Sequence, residues 1–365
     1  MALSVALGWT FTCTGAAALT LERELDVGLA IVGLFTTVFL LGEALTSVPG
    51  GRLCDRLGAR RVGLLGAGLM AAGSALATVA PQAALILVAR GLTGVGTGFA
   101  YVAVVAWLRG AGALAQGVIG GSALAGAGLA VAAVPRLDGA LGWRAPFVPE
   151  LALAVVAAAL ALLAPPGRPV AAGRPAGSLR WLLRRPLVWR YGAMASFSFG
   201  ASFAVGAWIV PLFTQSDGFS AEAGAVAGSL VLFGGIVTRP LGGALVRRWP
   251  RSAWPIMAGS ILLGAAAVLL LAIDPGPAAS TAAALAVGLL AGLPYGATTA
   301  GAMAAFPGEP GEAVAATIAI SVYFGVAVVF LLGLAFGAGE GPLGFAILAA
   351  ALLALLPAAP RRMPA

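Results

Sequence analysis

Apolar residues run through this chain in stretches of about 20, the length a helix needs to cross the hydrocarbon core of a bilayer, and short arginine-bearing turns separate them. Lipid offers the backbone no hydrogen-bonding partner, so each run must satisfy its own amides as a helix. With 61% hydrophobic and 9% charged residues and a mean hydropathy of +1.02, the chain lacks the polar surface of a soluble globular domain. Its 365 residues accommodate about twelve such helices joined by short loops.

The passes read as roughly residues 2–20, 28–53, 62–80, 83–108, 115–134, 145–164, 187–213, 221–246, 253–273, 280–305, 313–337 and 343–356. Glu22, Arg23, Glu24 and Asp26 make an acidic turn after the first pass, and Pro135 to Arg144 reads as a loop on the same side. Residues 165–186, rich in Pro and Gly and carrying five arginines, read as a linker with a short surface helix over 178–185. The basic residues are all arginine. Sixteen fall on the linker side or its edge, three on the other (Arg23, Arg136, Arg144) and two inside the bilayer (Arg90, Arg239). Positive charge marks the cytoplasmic side. Both termini are therefore expected in the cytoplasm, in a multi-pass protein of the cytoplasmic membrane. The basic balance suits a lipid surface and not nucleic acid. There is no histidine, and Cys13 and Cys54 fall in the first pass and the first arginine turn. No metal set, disulfide framework or enzyme's nucleophile–base pair is expected from such a composition. The first apolar run lacks a basic leader and a cleavage site, so it reads as a retained helix.

After the second run the chain turns through Gly50-Gly51-Arg52-Leu53-Cys54-Asp55-Arg56-Leu57-Gly58-Ala59-Arg60-Arg61. Arg56, Arg60 and Arg61 fall at the level of anionic headgroups, each contributing ~1 kcal/mol there. Gly51 lets a neighbouring helix come close, and Gly58 permits the backbone of a tight turn. Asp55 is disfavoured by the macrodipole of the helix it ends. It needs a partner, either an arginine or the N-terminus of another helix.

The spacing Gly51-x-x-x-Asp55-Arg56-x-Gly58-x-Arg60-Arg61 resembles the loop signature of the major facilitator superfamily of transporters, and the resemblance covers nearly the whole chain. It implies an all-α membrane protein of about twelve transmembrane helices in two pseudo-symmetric six-helix bundles, here residues 1–164 and 187–365 joined by the linker. It also implies that Asp55 docks beside a helix of the other half. An internal repeat supports the two-half plan, since Gly50-Gly51-x-Leu53-x-x-Arg56 recurs as Gly242-Gly243-x-Leu245-x-x-Arg248. Arg247 replaces Asp55 in that copy. Parallel repeats of this kind rock about a site near the midplane.

Ionisable groups well inside a pass are functional by default, and Glu43, Arg90 and Arg239 qualify. Arg90, Thr93, Thr97 and Tyr101 recur at helical spacing and form a polar stripe on the fourth pass, which the resemblance places beside the transport cavity. Arg90 either faces that cavity or ties its helix to a neighbour's carbonyls. Glu43, near mid-membrane, suits reversible proton binding, or else a structural pair with an arginine. Arg239-Pro240-Leu241-Gly242-Gly243 resembles a segment of nitrate/nitrite porters in which the arginine holds the anion. The glycine-asparagine signature of those porters is replaced by Gly120-Gly121-Ser122-Ala123. Arg239 could instead reach down to the interface. Tyr295 and Thr298 offer polar groups on the tenth pass, beside the kink expected at Pro294. Gly117 and Gly126 match part of the family's antiporter signature, but Ala130-Val131 stands where it wants Gly-Pro.

The acidic residues assigned to the cytoplasmic side are Asp55, Glu309 and Glu312. Arg52, Arg56 or Arg60 is expected to pair with Glu309 or Glu312 when the inside is closed. The reading is a secondary active transporter of a small polar, anionic solute, with Glu43 the candidate for proton coupling. The alternatives are a proton-driven efflux antiporter of drugs or metabolites and a non-transporting membrane sensor. The expected partners are the solute, the lipid bilayer and protons, and the expected state is a monomer without cofactor or metal.

Overall fold

The computed structural model describes residues 1–79, 81–108, 112–164, 179–215, 218–306 and 310–359. Among these residues the regular structure is all helical. The helices are α1 (Ala2–Ala16), α2 (Ala18–Leu25), α3 (Leu29–Leu57), α4 (Ala59–Val79), α5 (Ala83–Trp107), α6 (Gly112–Leu141), α7 (Phe147–Leu163) and α8 (Leu179–Leu183). They continue with α9 (Pro186–Phe199), α10 (Val205–Gln215), α11 (Ala221–Arg248), α12 (Ala253–Ala272), α13 (Pro277–Ala305), α14 (Pro310–Gly337) and α15 (Gly341–Leu353). A π-helical turn, Gly200–Ala204, joins α9 to α10 into one pass.

Among the described residues, 10 helices are long and apolar enough to cross a membrane, and the bent pair α1–α2 makes up to 11. The shorter apolar helix α7 completes a set of about twelve passes. Leu41, Val88, Val155, Val237, Leu263 and Leu331 are exposed on the outer faces. Such a broad apolar exterior belongs against lipid.

Several boundaries differ from the sequence reading. The first pass breaks by 57° at Ala17, and α2 occupies most of the expected acidic turn. Leu21 is buried there while Arg23 and Glu24 face out, and Asp26 ends the helix in the left-handed conformation, φ 51°. Pro135 does not open a loop: α6 runs through it to Leu141. A proline inside a long apolar helix frees one carbonyl, a local loss that a membrane helix tolerates. The arginine turn shrinks to a single residue, because α3 continues to Leu57 and α4 starts at Ala59. Gly58 between them has φ +83°, a conformation glycine adopts at no steric cost. The surface helix of the linker is reduced to α8. Residues 165–178, Glu309 and the Asp55 side chain lie outside the described part of the structure.

Small residues let the backbones meet. A Cβ at Gly8 of α1 would overlap the Ala123 carbonyl of α6, and one at Gly242 of α11 would overlap the Leu293 carbonyl of α13. Without a hydrophobic drive in lipid, this close packing is what holds helices together. In the first half, α5 packs on α3 and α4, and α1 on α6 and α7; in the second, α13 packs on α11 and α12, and α14 on α9. The first set of helices joins the second chiefly through α3 with α14 and α6 with α11, and also through α1 with α10 and α6 with α13.

Candidate functional site

The most enclosed charges belong to α5 and α7. Arg90 donates from Nη1 to Glu150 Oε1 at 2.8 Å and from Nη2 to the Thr10 carbonyl of α1 at 2.7 Å. Its guanidinium also lies 4.5 Å from the Phe39 ring centroid of α3. Both charged groups are inaccessible to solvent. Arg90 therefore ties together four helices of the first half, with its charge neutralised by a carboxylate. Thr93 does not share that direction, since its hydroxyl sits against Gly73 of α4. Thr97 is buried with no hydrogen-bond partner among the described residues.

A cavity lies between the two sets of helices. Phe11 of α1, Tyr101 of α5, Phe199 and Phe203 of the α9–α10 pass, Arg239 of α11 and Tyr295 and Thr298 of α13 line it, with Thr317 and Ser321 of α14. Its volume is about 40 Å³, room for roughly three waters at ~10–15 Å³ each. Arg239 dominates its electrostatics. Only 2% of this residue is exposed. Nη1 donates to the Gly120 carbonyl of α6 at 2.9 Å, and the guanidinium carbon lies 4.2 Å from the Tyr295 ring centroid and 5.6 Å from that of Phe203. Among the described residues Nε has no hydrogen-bond partner and no carboxylate forms an ion pair with this arginine. Tyr101 and Tyr295 share a hydrogen bond at 2.9 Å between their hydroxyls, joining α5 to α13 across the cavity. Thr298 Oγ1 is buried and has no partner among the described residues.

Glu43 of α3 is fully buried, and neither carboxyl oxygen has a hydrogen-bond partner among the described residues. It does not meet Arg90. Its backbone packs on Gly98, eight residues beyond Arg90 on α5, a rise of about 12 Å. Tyr101 is within electrostatic reach of both Glu43 and Arg239.

At the arginine end, Arg52 Nε lies 3.3 Å from Glu312 Oε1 of α14, one of the pairings expected from the sequence. Gly51 faces Ala315 of α14 and Val102 of α5. Arg60 donates to the Leu162 carbonyl at 2.6 Å, near the C-terminus of α7 where the macrodipole favours a cation. Arg56 and Arg61 are exposed.

Of the residues singled out in the sequence, the structure thus gathers Tyr101, Arg239, Tyr295 and Thr298 at one cavity, and sets Arg90, Thr93, Thr97 and Glu43 apart from its walls. Sequence reasoning missed Glu150. It follows Pro149 in the first turn of α7 and falls inside the pass expected over 145–164, where a carboxylate within a long apolar run was a usable signal. Phe11 and Ser321 carried no signal at all, since an aromatic or a serine in a membrane helix is ordinary.

About twelve apolar passes around a largely apolar cavity that holds a few polar groups and one buried arginine fit a polytopic membrane carrier. Residues 1–330 match the Major Facilitator Superfamily, and the chain belongs to that family of secondary transporters. A comparison with curated proteins returned no match.

Replacing Arg90 alone leaves Glu150 buried without its charge partner, a loss of about 3–5 kcal/mol. In detergent, Arg90→Met is expected to lower the melting temperature markedly, and Arg90→Met with Glu150→Leu to recover most of it. Equal melting of the wild type and the single variant would contradict a neutralised structural pair.

Proposed function

We propose that the protein carries a small anionic solute across the cytoplasmic membrane by alternating access, with the arginine end in the cytoplasm. The observation that carries this reading is the state of Arg239. It is a buried cation at the wall of the central cavity, with no carboxylate paired to it among the described residues. A charge held out of water needs a counter-charge, and a cavity-facing arginine obtains one from whatever anion enters. Arg90, by contrast, has its charge balanced by Glu150 and serves the fold.

Two sets of contacts flank the cavity. Toward the end opposite the arginine turn, a Cβ at Gly15 of α1 would overlap the Ala207 carbonyl of α10, and Gly33 of α3 meets Gly333 of α14. Toward the arginine end, Gly117 of α6 meets Pro240 of α11, and Arg52 pairs with Glu312. Residues 1–164 and 187–365 move as the two bundles, and parting one set of contacts opens the cavity to that side. Gly51, Asp55, Arg56, Gly58, Arg60 and Arg61 with Glu309 and Glu312 form the cytoplasmic gate. Glu43 supplies proton coupling: a buried carboxyl without a partner can bind and release a proton as its access to water changes. Arg90 is engaged with Glu150 and Arg52 with Glu312, which leaves Glu43 free of a fixed cation.

Uptake of an anion panel into proteoliposomes tests the assignment. Arg239→Gln is expected to reduce anion uptake at least tenfold. Glu43→Gln should keep solute exchange while losing acceleration by an inward pH gradient. Full uptake by the Arg239 variant would remove the basis of the reading. For the gate, Arg52→Glu and Glu312→Arg are each expected to slow exchange, and the two together to restore at least half of it. Singles that match the wild type, or a double variant slower than both, would show that the pair does not gate.

A further inference from the structure

The cavity's donors and its apolar wall stand on different sides, and this arrangement narrows the solute class. On the polar side, Arg239 spends one N–H on the Gly120 carbonyl and leaves Nε–H without a partner among the described residues. The Tyr101–Tyr295 bond uses one of the two hydroxyl protons, so one O–H of the pair stays available to the cavity. Thr298 adds a hydroxyl with no partner among the described residues. These donors suit a carboxylate, which accepts at two oxygens and pairs well with a guanidinium.

The charge count fixes the valence. With Glu43 protonated, the one buried cation at the cavity balances one negative charge. A dianion such as hydrogen phosphate or succinate would leave a net charge in a site of low dielectric, which is costly.

The apolar side is an aromatic cluster. Phe11 and Phe203 have ring centroids 4.5 Å apart, Phe199 and Phe203 5.0 Å, and Phe11 and Phe199 5.5 Å. A small inorganic anion has no use for three phenyl rings, whereas an organic body stacks on them. Phe199 immediately precedes the π-helical turn Gly200–Ala204 and Phe203 belongs to it. Such turns recur at functional sites, where the helix departs from regular geometry. The 40 Å³ now free has room for no more than a few water-sized molecules, and a larger body enters as the two sides of the cavity part.

We infer that the solute is an organic monocarboxylate with a ring-sized apolar body, its carboxylate on Arg239, Thr298 and the tyrosine pair and its body against Phe11, Phe199 and Phe203. The inference rests on the proposal that Arg239 holds the transported anion.

Calorimetric binding to the purified protein in detergent, near neutral pH, separates the two. The probes are benzoate, acetate, nitrate, phosphate and succinate. Benzoate is expected to bind at least tenfold more tightly than each of the others, and Arg239→Gln to abolish its binding. Phe199→Ala, with Phe199→Leu as the gentler variant should the first fail to fold, is expected to weaken benzoate at least fivefold while leaving acetate within twofold. Tighter binding of nitrate, phosphate or succinate that still depends on Arg239 would overturn the monocarboxylate inference and leave the anion carrier standing. So would equal losses for benzoate and acetate in the Phe199 variants. Absence of binding by every anion, or binding indifferent to Arg239, would overturn both.

Discussion

A guanidinium held at the depth of a bilayer needs something to offset the water it has lost, and the arrangement around Arg239 is organised by that need. Placing an arginine at the centre of a membrane helix costs roughly 2.5–3.5 kcal/mol on insertion scales. The Gly120 carbonyl at 2.9 Å and the face of Tyr295 at 4.2 Å recover part of that. What they do not supply is a negative charge. Arg90 shows the alternative within the same protein, where a carboxylate at 2.8 Å completes the charge and the group becomes part of the fold. The two buried arginines thus differ in the partner each is given.

The groups near Arg239 extend this electrostatic centre across the bundle. Gly120 and Tyr101 belong to the first half of the chain, Arg239 and Tyr295 to the second, and the Tyr101–Tyr295 hydrogen bond joins the two. Glu43, within electrostatic reach of Tyr101, is buried and without a hydrogen-bond partner among the described residues. The glycine contacts that flank the cavity place backbone against backbone. They add no polar requirement of their own, so separating them exposes little that must be re-satisfied. On this account the cavity carries the chemistry and the small-residue contacts carry the motion.

The passes were legible in the sequence because they rest on a long, redundant signal. Boundaries resting on a single residue were less so. Pro135 looked like punctuation and sits inside α6; nothing at Ala17 announces the bend in the first pass. The candidate site was partly legible. Arg239, Tyr101, Tyr295 and Thr298 stood out as polar groups inside apolar runs, but helical spacing also drew in Arg90 and Thr93, which turn to other neighbours. A stripe on one helix specifies direction only to within a broad arc, and a long side chain such as arginine can leave it. That Arg90 meets Glu150 and not Glu43 depends on how α5, α7 and α3 are arranged in space, which the spacing within any one of them does not contain.

The most direct test is to locate the bound anion. A cryo-electron microscopy map of the protein in lipid nanodiscs with 4-iodobenzoate would show the carboxylate and the electron-dense iodine. The account predicts difference density within hydrogen-bonding distance of the Arg239 guanidinium, lost in Arg239→Gln. Density confined to the Arg52–Arg61 turn, or density at the cavity that persists without the arginine, would contradict it.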